Sequence, residues 1–205
     1  MTNFHLILFL WVHFSFPSKR PDKFGIGLIV DDGIIEETVN FATKELEKYF
    51  HAKVYAIKDV DLPAEFKRDT INFRKVIEYI DQELPLKYDK NIFLTKRGIS
   101  PGDWARFSVR GYATLGGRVA VASTLVVKSE STSTRQYENL LAKVLIHEMG
   151  HLIGLKHCLE SNQCAVVSSL PSPQYFYNAK KQFCKHCLEK IDKALIRKKY
   201  RQPKF

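Results

Sequence analysis

The sequence predicts an α/β or α+β protein in which a single domain packs helices against a twisted mixed sheet. Strand and helix patterns alternate in the first half of the chain, and the second half contains helix and loop patterns. The 205 residues are 45% hydrophobic and 26% charged. This composition is typical of a globular protein, and the length suffices for one sizeable core.

The first predicted elements form a β–α–β unit. Residues 24–30 (FGIGLIV) are a short apolar run that predicts a buried strand. Residues 35–50 carry apolar side chains at helical spacing, which predicts a helix with one buried face. Residues 52–57 predict the second strand.

The middle of the chain predicts a second helix and a third strand. Residues 72–84 have the helical pattern, and Pro85 ends it because proline cannot continue a helix. Residues 91–94 form a third short strand pattern, and residues 97–102 are expected to be a loop.

One more strand region and two helices complete the prediction. Residues 118–127 are rich in β-branched side chains and predict one strand, or two strands broken near the middle. Residues 135–153 predict a long helix, and Ser133 with Gln136 fits a capping box at its start. Residues 183–199 predict a last amphipathic helix.

The start of the chain has a different character. Residues 4–16 are strongly apolar but shorter than the roughly 20 residues of a membrane-spanning helix. No basic residue precedes this run and the context after it is a poor cleavage site, which disfavours a signal peptide. We expect residues 1–23 to be an apolar extension with a linker, and residues 24–205 to form the domain. Export, or membrane contact through this segment, is the alternative.

The net charge of +10 is concentrated towards the end of the chain. Residues 180–204 contain ten lysines and arginines against Glu189 and Asp192. Such a run can bind an anionic partner such as nucleic acid. It is more often a solvated helix face and tail, so no specific nucleic-acid partner is expected.

The most informative segment is residues 147–157, HEMGHLIGLKH. His147 and His151 are one helical turn apart, so both imidazoles can reach one Zn²⁺ from the same helix face. Gly154 can adopt a left-handed conformation that ends the helix and turns the chain. His157 can then return as the third ligand, which leaves a fourth position open for water, as in catalytic zinc sites.

Glu148 follows the first of these histidines and can reach the metal-bound water without binding the metal. Zinc lowers the pKa of its water to about 7, and Glu148 is the expected general base that removes the proton. The attacking hydroxide would cleave a peptide bond, and Glu148 would pass the proton to the leaving amine.

The four cysteines form two pairs in the sequence. Cys184 and Cys187 are a CxxC pair, and Cys158 and Cys164 are a looser pair directly after His157. Two pairs separated by a loop favour one tetrahedral structural zinc, which gives two zinc ions per chain in total. Disulfides and buried thiols are the alternatives, and a reducing compartment disfavours disulfides.

The segment HEMGHLIGLKHC, a second cysteine and the later FCKHC resemble the archaemetzincins, a family of small metallopeptidases of the metzincin clan. The resemblance implies a metzincin-like fold in which a zinc-bound loop and a C-terminal helix follow the active-site helix. It also implies that residues 118–123 are the edge strand that pairs with substrate. By this match, the catalytic ligands, the base and the structural ligands are His147, His151 and His157; Glu148; and Cys158, Cys164, Cys184 and Cys187.

The chain departs from the family pattern at two places. Five residues separate Cys158 from Cys164 where four are usual, a change that a loop tolerates easily. Val166 replaces the methionine that forms an apolar floor under the zinc in metzincins. Valine is also apolar but shorter, so a looser floor is expected.

The sequence therefore predicts a zinc-dependent metallopeptidase that is cytoplasmic, monomeric and active on peptides or proteins. One alternative is a catalytically degenerate zinc protein of the same fold. The other is a basic nucleic-acid-binding zinc module, which leaves the three histidines and Glu148 without a purpose.

Overall fold

A computed structural model describes residues 24–102, 105, 107–168 and 173–197. The predicted extension at residues 1–23 and the last eight residues of the basic tail lie outside the described residues. The strands are β1 Gly25–Val30, β2 Lys53–Ile57, β3 Thr70–Asn72, β4 Lys90–Thr95, β5 Gly98–Ser100, β6 Gly111–Ala113 and β7 Val119–Ser123. The helices are α1 Glu36–Phe50, α2 Phe73–Glu83, α3 Thr124–Ser129, α4 Thr134–Leu152, α5 Pro173–Asn178 and α6 Lys185–Arg197, with a 3₁₀ turn at Ala64–Phe66.

The main sheet has five strands in the order β2-β1-β4-β7-β6. The first four strands in this order are parallel, and β6 pairs with β7 in the antiparallel sense. The mixed sheet with flanking helices confirms the predicted fold class. No helix in the part of the chain that the structure describes combines the length and apolarity needed to cross a membrane.

Each face of the sheet has its own core. Leu28 of β1 packs into the cluster formed with α1 and α4, where Leu46 and Leu145 are fully buried. Ile29, the next residue, packs into the opposite cluster with Ile80 of α2. This alternation follows from the two-residue repeat of a strand, and it explains why β1 is apolar throughout.

The prediction for residues 118–127 was right for its first half and wrong for its second. The strand ends at Ser123, and α3 begins at Thr124. The hydroxyl of Ser123 accepts the backbone N–H of Val126 at 3.2 Å and thereby caps the helix. A side-chain cap here overrides the β-propensity of the valines that follow.

The prediction of a loop over residues 97–102 was also wrong in part. Strand β5 lies within this segment and pairs in parallel with β3, which had not been predicted. Strand β6 and helix α5 were missed as well. Strands of three residues are too short to show a periodicity in sequence.

The missed strand β6 changes the position of the sheet edge. The family resemblance implied that residues 118–123 form the edge strand beside the active-site helix. In the structure β7 is an interior strand between β4 and β6, and the edge strand of the described sheet on this side is β6. The expectation was therefore wrong by one strand.

Helix α4 begins as the sequence predicted. The Ser133 hydroxyl accepts the backbone N–H of Gln136 at 3.2 Å. The Gln136 side chain returns to the backbone N–H of Thr132 at 2.7 Å, one residue earlier than in a standard capping box. The capped helix then runs for 19 residues beneath the sheet and carries the histidine motif at its C-terminal end.

Candidate active site

The C-terminal end of α4 is a Schellman motif. The backbone N–H of Leu155 donates to the Gly150 carbonyl, and that of Gly154 donates to the His151 carbonyl, both at 2.9 Å. Gly154 has a φ of +96°, a conformation that strongly favours glycine. The helix therefore stops within one turn after the second histidine, as the sequence predicted.

Two backbone carbonyls orient the two helical histidines. Nδ1 of His147 lies 2.9 Å from the carbonyl oxygen of Ala165, and Nδ1 of His151 lies 2.7 Å from that of Leu155. Because a carbonyl can only accept, each Nδ1 carries the hydrogen and donates it. Each Nε2 is therefore an unprotonated nitrogen when the ring is neutral.

These two Nε2 atoms point at each other at a distance of 3.0 Å. Two nitrogen lone pairs this close repel each other unless a cation lies beside both. Burial lowers the pKa of His147 to about 3, and the neighbouring His151 and His157 add to this effect. A bound proton is therefore disfavoured, and the neutral imidazoles fit a metal ion.

The structure brings His157 to the same place. One ligand nitrogen from each of His147, His151 and His157 lies within 4.8 Å of the other two. The His157 ring centroid is 4.8 Å from that of His151 and 5.4 Å from that of His147. His157 is exposed whereas His147 is buried, so the group is open on one side. Three neutral nitrogens with an open side suit a catalytic zinc.

Glu148 lies in the same cavity, which has a volume of about 690 Å³. Its side chain is buried, and burial raises the pKa of its carboxyl group to about 8. Its carboxylate makes no hydrogen bond to any residue that the structure describes. It lies against the backbone of Gly111 in β6, where an added Cβ would be 2.5 Å from Oε1.

Arg110 is a residue of the cavity that sequence reasoning missed. Its Nε donates to Glu130 at 2.5 Å, and another guanidinium nitrogen donates to the Tyr177 hydroxyl at 3.0 Å. The guanidinium also lies 5.1 Å from the centroid of the Phe176 ring, which packs 5.5 Å from His147. Through these contacts Arg110 fixes the position of α5, which lines the cavity beside His147. Nothing in the local sequence signals them, because they join segments far apart in the chain.

The four cysteines also meet in space. Their sulfur atoms lie within 4.8 Å of one another. Sγ of Cys158 is 3.6 Å from Sγ of Cys184, far longer than the roughly 2.05 Å of a disulfide. It is close to the separation of about 3.8 Å that a tetrahedral site with Zn–S bonds of about 2.3 Å requires. The arrangement fits a closed metal site.

The cysteine loop reaches back to the histidines. The backbone N–H of Cys158 donates to the Val166 carbonyl at 2.8 Å, while the neighbouring Ala165 carbonyl orients His147. Val166 is fully buried, and its methyl carbon lies 2.4 Å from where a Cβ on Gly150 would be. Val166 thus packs directly on the active-site helix. The expected looser floor under the zinc stays a prediction.

Gly154→Ala tests whether the end of α4 depends on this glycine. No atom lies within 4 Å of the added Cβ, so the cost arises from the left-handed backbone alone. We expect the free energy of unfolding to fall by about 1–2 kcal/mol in a urea titration. Gly154→Asn is the matched control and should lose less, because asparagine tolerates this conformation. Equal stability of the alanine variant and the wild type would contradict the assignment.

A family model described as Peptidase family M54 matches residues 108–193, which include the three histidines and the four cysteines. The archaemetzincin of Archaeoglobus fulgidus is 39% identical over 83 residues, 40% of this chain and 49% of that protein. The match thus spans about half the length of that relative. The archaemetzincin of Halobacterium salinarum is 26% identical over 154 residues, 71% of this chain and 87% of that protein.

Solved structures show the same fold. The archaemetzincin from Methanopyrus kandleri aligns with a TM-score of 0.69 and 24% identity, over 85% of this chain and 96% of that one. The archaemetzincin from Archaeoglobus fulgidus, complexed with malonate, aligns with a TM-score of 0.66 and 26% identity, over 81% and 99% of the two chains.

Proposed function

Since the chain belongs to the archaemetzincin family of zinc metalloproteases, we propose that it hydrolyses peptide bonds with Glu148 as the general base. The observation that carries the proposal is the pair of Nε2 atoms, 3.0 Å apart, with both Nδ1 atoms held by carbonyls. With Glu148 in the same cavity, this arrangement supports a hydrolytic metal centre rather than a purely structural one.

The histidines and Glu148 have separate roles in this proposal. His147, His151 and His157 hold the metal through neutral imidazole nitrogens. A bound zinc ion supplies a Lewis acid that activates water and polarises the scissile carbonyl. Glu148 takes the proton of the attacking water on its carboxylate and then delivers it to the leaving amine nitrogen.

Strand β6 is the proposed docking edge for the substrate backbone. It is the outer strand of the described sheet on the side of α4, and Gly111 at its start touches Glu148. The backbone N–H of Gly116, just after β6, donates to the His151 carbonyl at 2.9 Å and ties the edge to the helix. An extended peptide that adds to β6 would therefore pass beside the histidines.

Glu148→Gln is the first test of the proposal. Glutamine keeps the shape of the side chain but cannot accept the proton, so kcat should fall by a factor of about 10²–10⁴ with zinc content unchanged. Cleavage of a peptide library by purified zinc-loaded protein is the measurement. Glu138→Gln, on the same helix but outside this cavity, is the control and should keep full activity. Undiminished cleavage by the Glu148 variant would refute the role.

The docking edge is tested with modified substrates. Once a cleaved peptide is known, methylation of single backbone nitrogens near the scissile bond removes donors needed for pairing with β6. We expect KM to rise at alternate positions, by a factor of about ten for each lost hydrogen bond. Methylation far from the scissile bond is the control. No dependence on position would exclude strand pairing.

We further propose two zinc ions per chain, one at the histidines and one at the four cysteines. Elemental analysis should find about two zinc ions, and a mild chelator should remove the open histidine site first. Cys187→Ser should lower the content to about one and destabilise the fold, whereas His157→Ala should lower zinc affinity with a smaller effect on stability. One zinc per wild-type chain would contradict this assignment.

The proposed compartment is the cytoplasm and the proposed state is a monomer. Cys158, Cys164, Cys184 and Cys187 are all free in the structure, and thiolate ligands persist under reducing conditions.

A further inference from the structure

We propose that Gly111 is a positioning residue that sets the orientation of the Glu148 carboxylate through direct steric contact. This inference rests on the proposed function and extends it to a residue of the edge strand. It assigns the absence of a side chain at position 111 to the catalytic geometry, rather than to flexibility of the strand.

A side chain at position 111 would overlap three atoms of Glu148. A Cβ built on Gly111 would lie 2.5 Å from Oε1, 2.8 Å from Cγ and 2.9 Å from Cδ of Glu148. Contacts under about 3 Å between non-bonded carbon atoms lie deep in the repulsive range, since their optimum is 3.5–4.0 Å. The glutamate side chain therefore occupies the volume that any other residue at position 111 would fill.

The strand cannot move away to make room. Gly111 and Ala113 pair with Ala122 and Ala120 of β7, which is an interior strand. Between them, Tyr112 points to the opposite face and stacks on Phe73 with ring centroids 3.9 Å apart. The hydrogen bond from Gly116 to His151 adds a second attachment directly to α4.

The helix cannot move either. Its residues on both sides of Glu148 are buried, and His147 and His151 are anchored through Nδ1 to Ala165 and Leu155. Movement of α4 away from β6 would strain the hydrogen bond from His147 to Ala165 and the hydrogen bond from Gly116 to His151. The Glu148 side chain is thus the part that must give way to an added methyl group.

The carboxylate is not fixed by polar contacts in the described part of the chain. It has no hydrogen-bond or ion-pair partner there, so its rotamers are limited by packing, and the close approach of Gly111 is part of that packing. Buried carboxylates are usually held by several hydrogen bonds. Here the backbone of Gly111 in β6 helps to position the Glu148 carboxylate by packing, which leaves both carboxylate oxygens available for proton transfer.

A stability cycle tests the contact without any reference to activity. Gly111→Ala is made in zinc-loaded wild type, in Glu148→Gln and in Glu148→Ala, and the urea midpoint of each is measured. The alanine at 111 should lower the midpoint in the first two backgrounds, because glutamine has the same shape as glutamate. It should leave the midpoint unchanged in Glu148→Ala, where the three close atoms are gone.

An activity measurement tests the role. Gly111→Ala should lower kcat at least about tenfold while KM changes by less than about threefold and zinc content stays at the wild-type value. Gly25→Ala is the matched control, because its Cβ would meet the Tyr88 ring at 3.2 Å in β1, away from the cavity. This control should keep full activity.

Each outcome decides one claim. Equal loss of stability in all three backgrounds, or loss of folding in all three, would overturn the contact with Glu148. Folding of Gly111→Ala only with Glu148→Ala would support it. Wild-type kcat in Gly111→Ala would overturn the positioning role. A wild type without peptidase activity would refute the proposed function, while the stability cycle would still report on the contact.

Discussion

Two hydrogen bonds from imidazole Nδ1 atoms to backbone carbonyls determine the chemistry of this site. Because Ala165 and Leu155 each take one N–H, both helical histidines present unprotonated Nε2 atoms to the same point. Leu155 is also the residue whose N–H closes the Schellman motif on Gly150. The turn that ends the helix therefore also orients His151, so a change in the backbone at Leu155 would alter both the helix end and the orientation of this imidazole.

The sheet contributes to the same centre from the opposite side. Its edge strand is tied to the helix at His151 through Gly116, and it touches Glu148 at Gly111. Lys90, buried at the start of β4, donates to the carbonyls of Gly116 and Gly117 at 3.3 and 2.6 Å and secures the turn after β6. The proposed base and the proposed docking edge are thus parts of one rigid assembly, which favours precise alignment.

Sequence reasoning was most successful where the information is local. The spacing of His147 and His151 on one predicted helix, with Gly154 and His157 directly after it, predicted that the three imidazoles lie together, and they do; the four cysteines also lie together. It failed at β6, where three residues carry no periodicity, and at residues 124–127, where the Ser123 cap outweighs β-propensity. Contacts such as that of Arg110 with Tyr177 depend on the tertiary fold and leave no local pattern.

The loop of residues 158–167 contacts both the cysteine group and the histidine group. Cys158 and Cys164 join it to the other two cysteines, and the carbonyl of Ala165, next to Cys164, accepts the hydrogen bond from Nδ1 of His147. Oxidation of the cysteines alone would therefore also affect the histidines. If the loop were displaced, Nδ1 of His147 would lose its hydrogen bond to the Ala165 carbonyl. Oxidative damage to the four cysteines thereby also becomes damage to the histidine group.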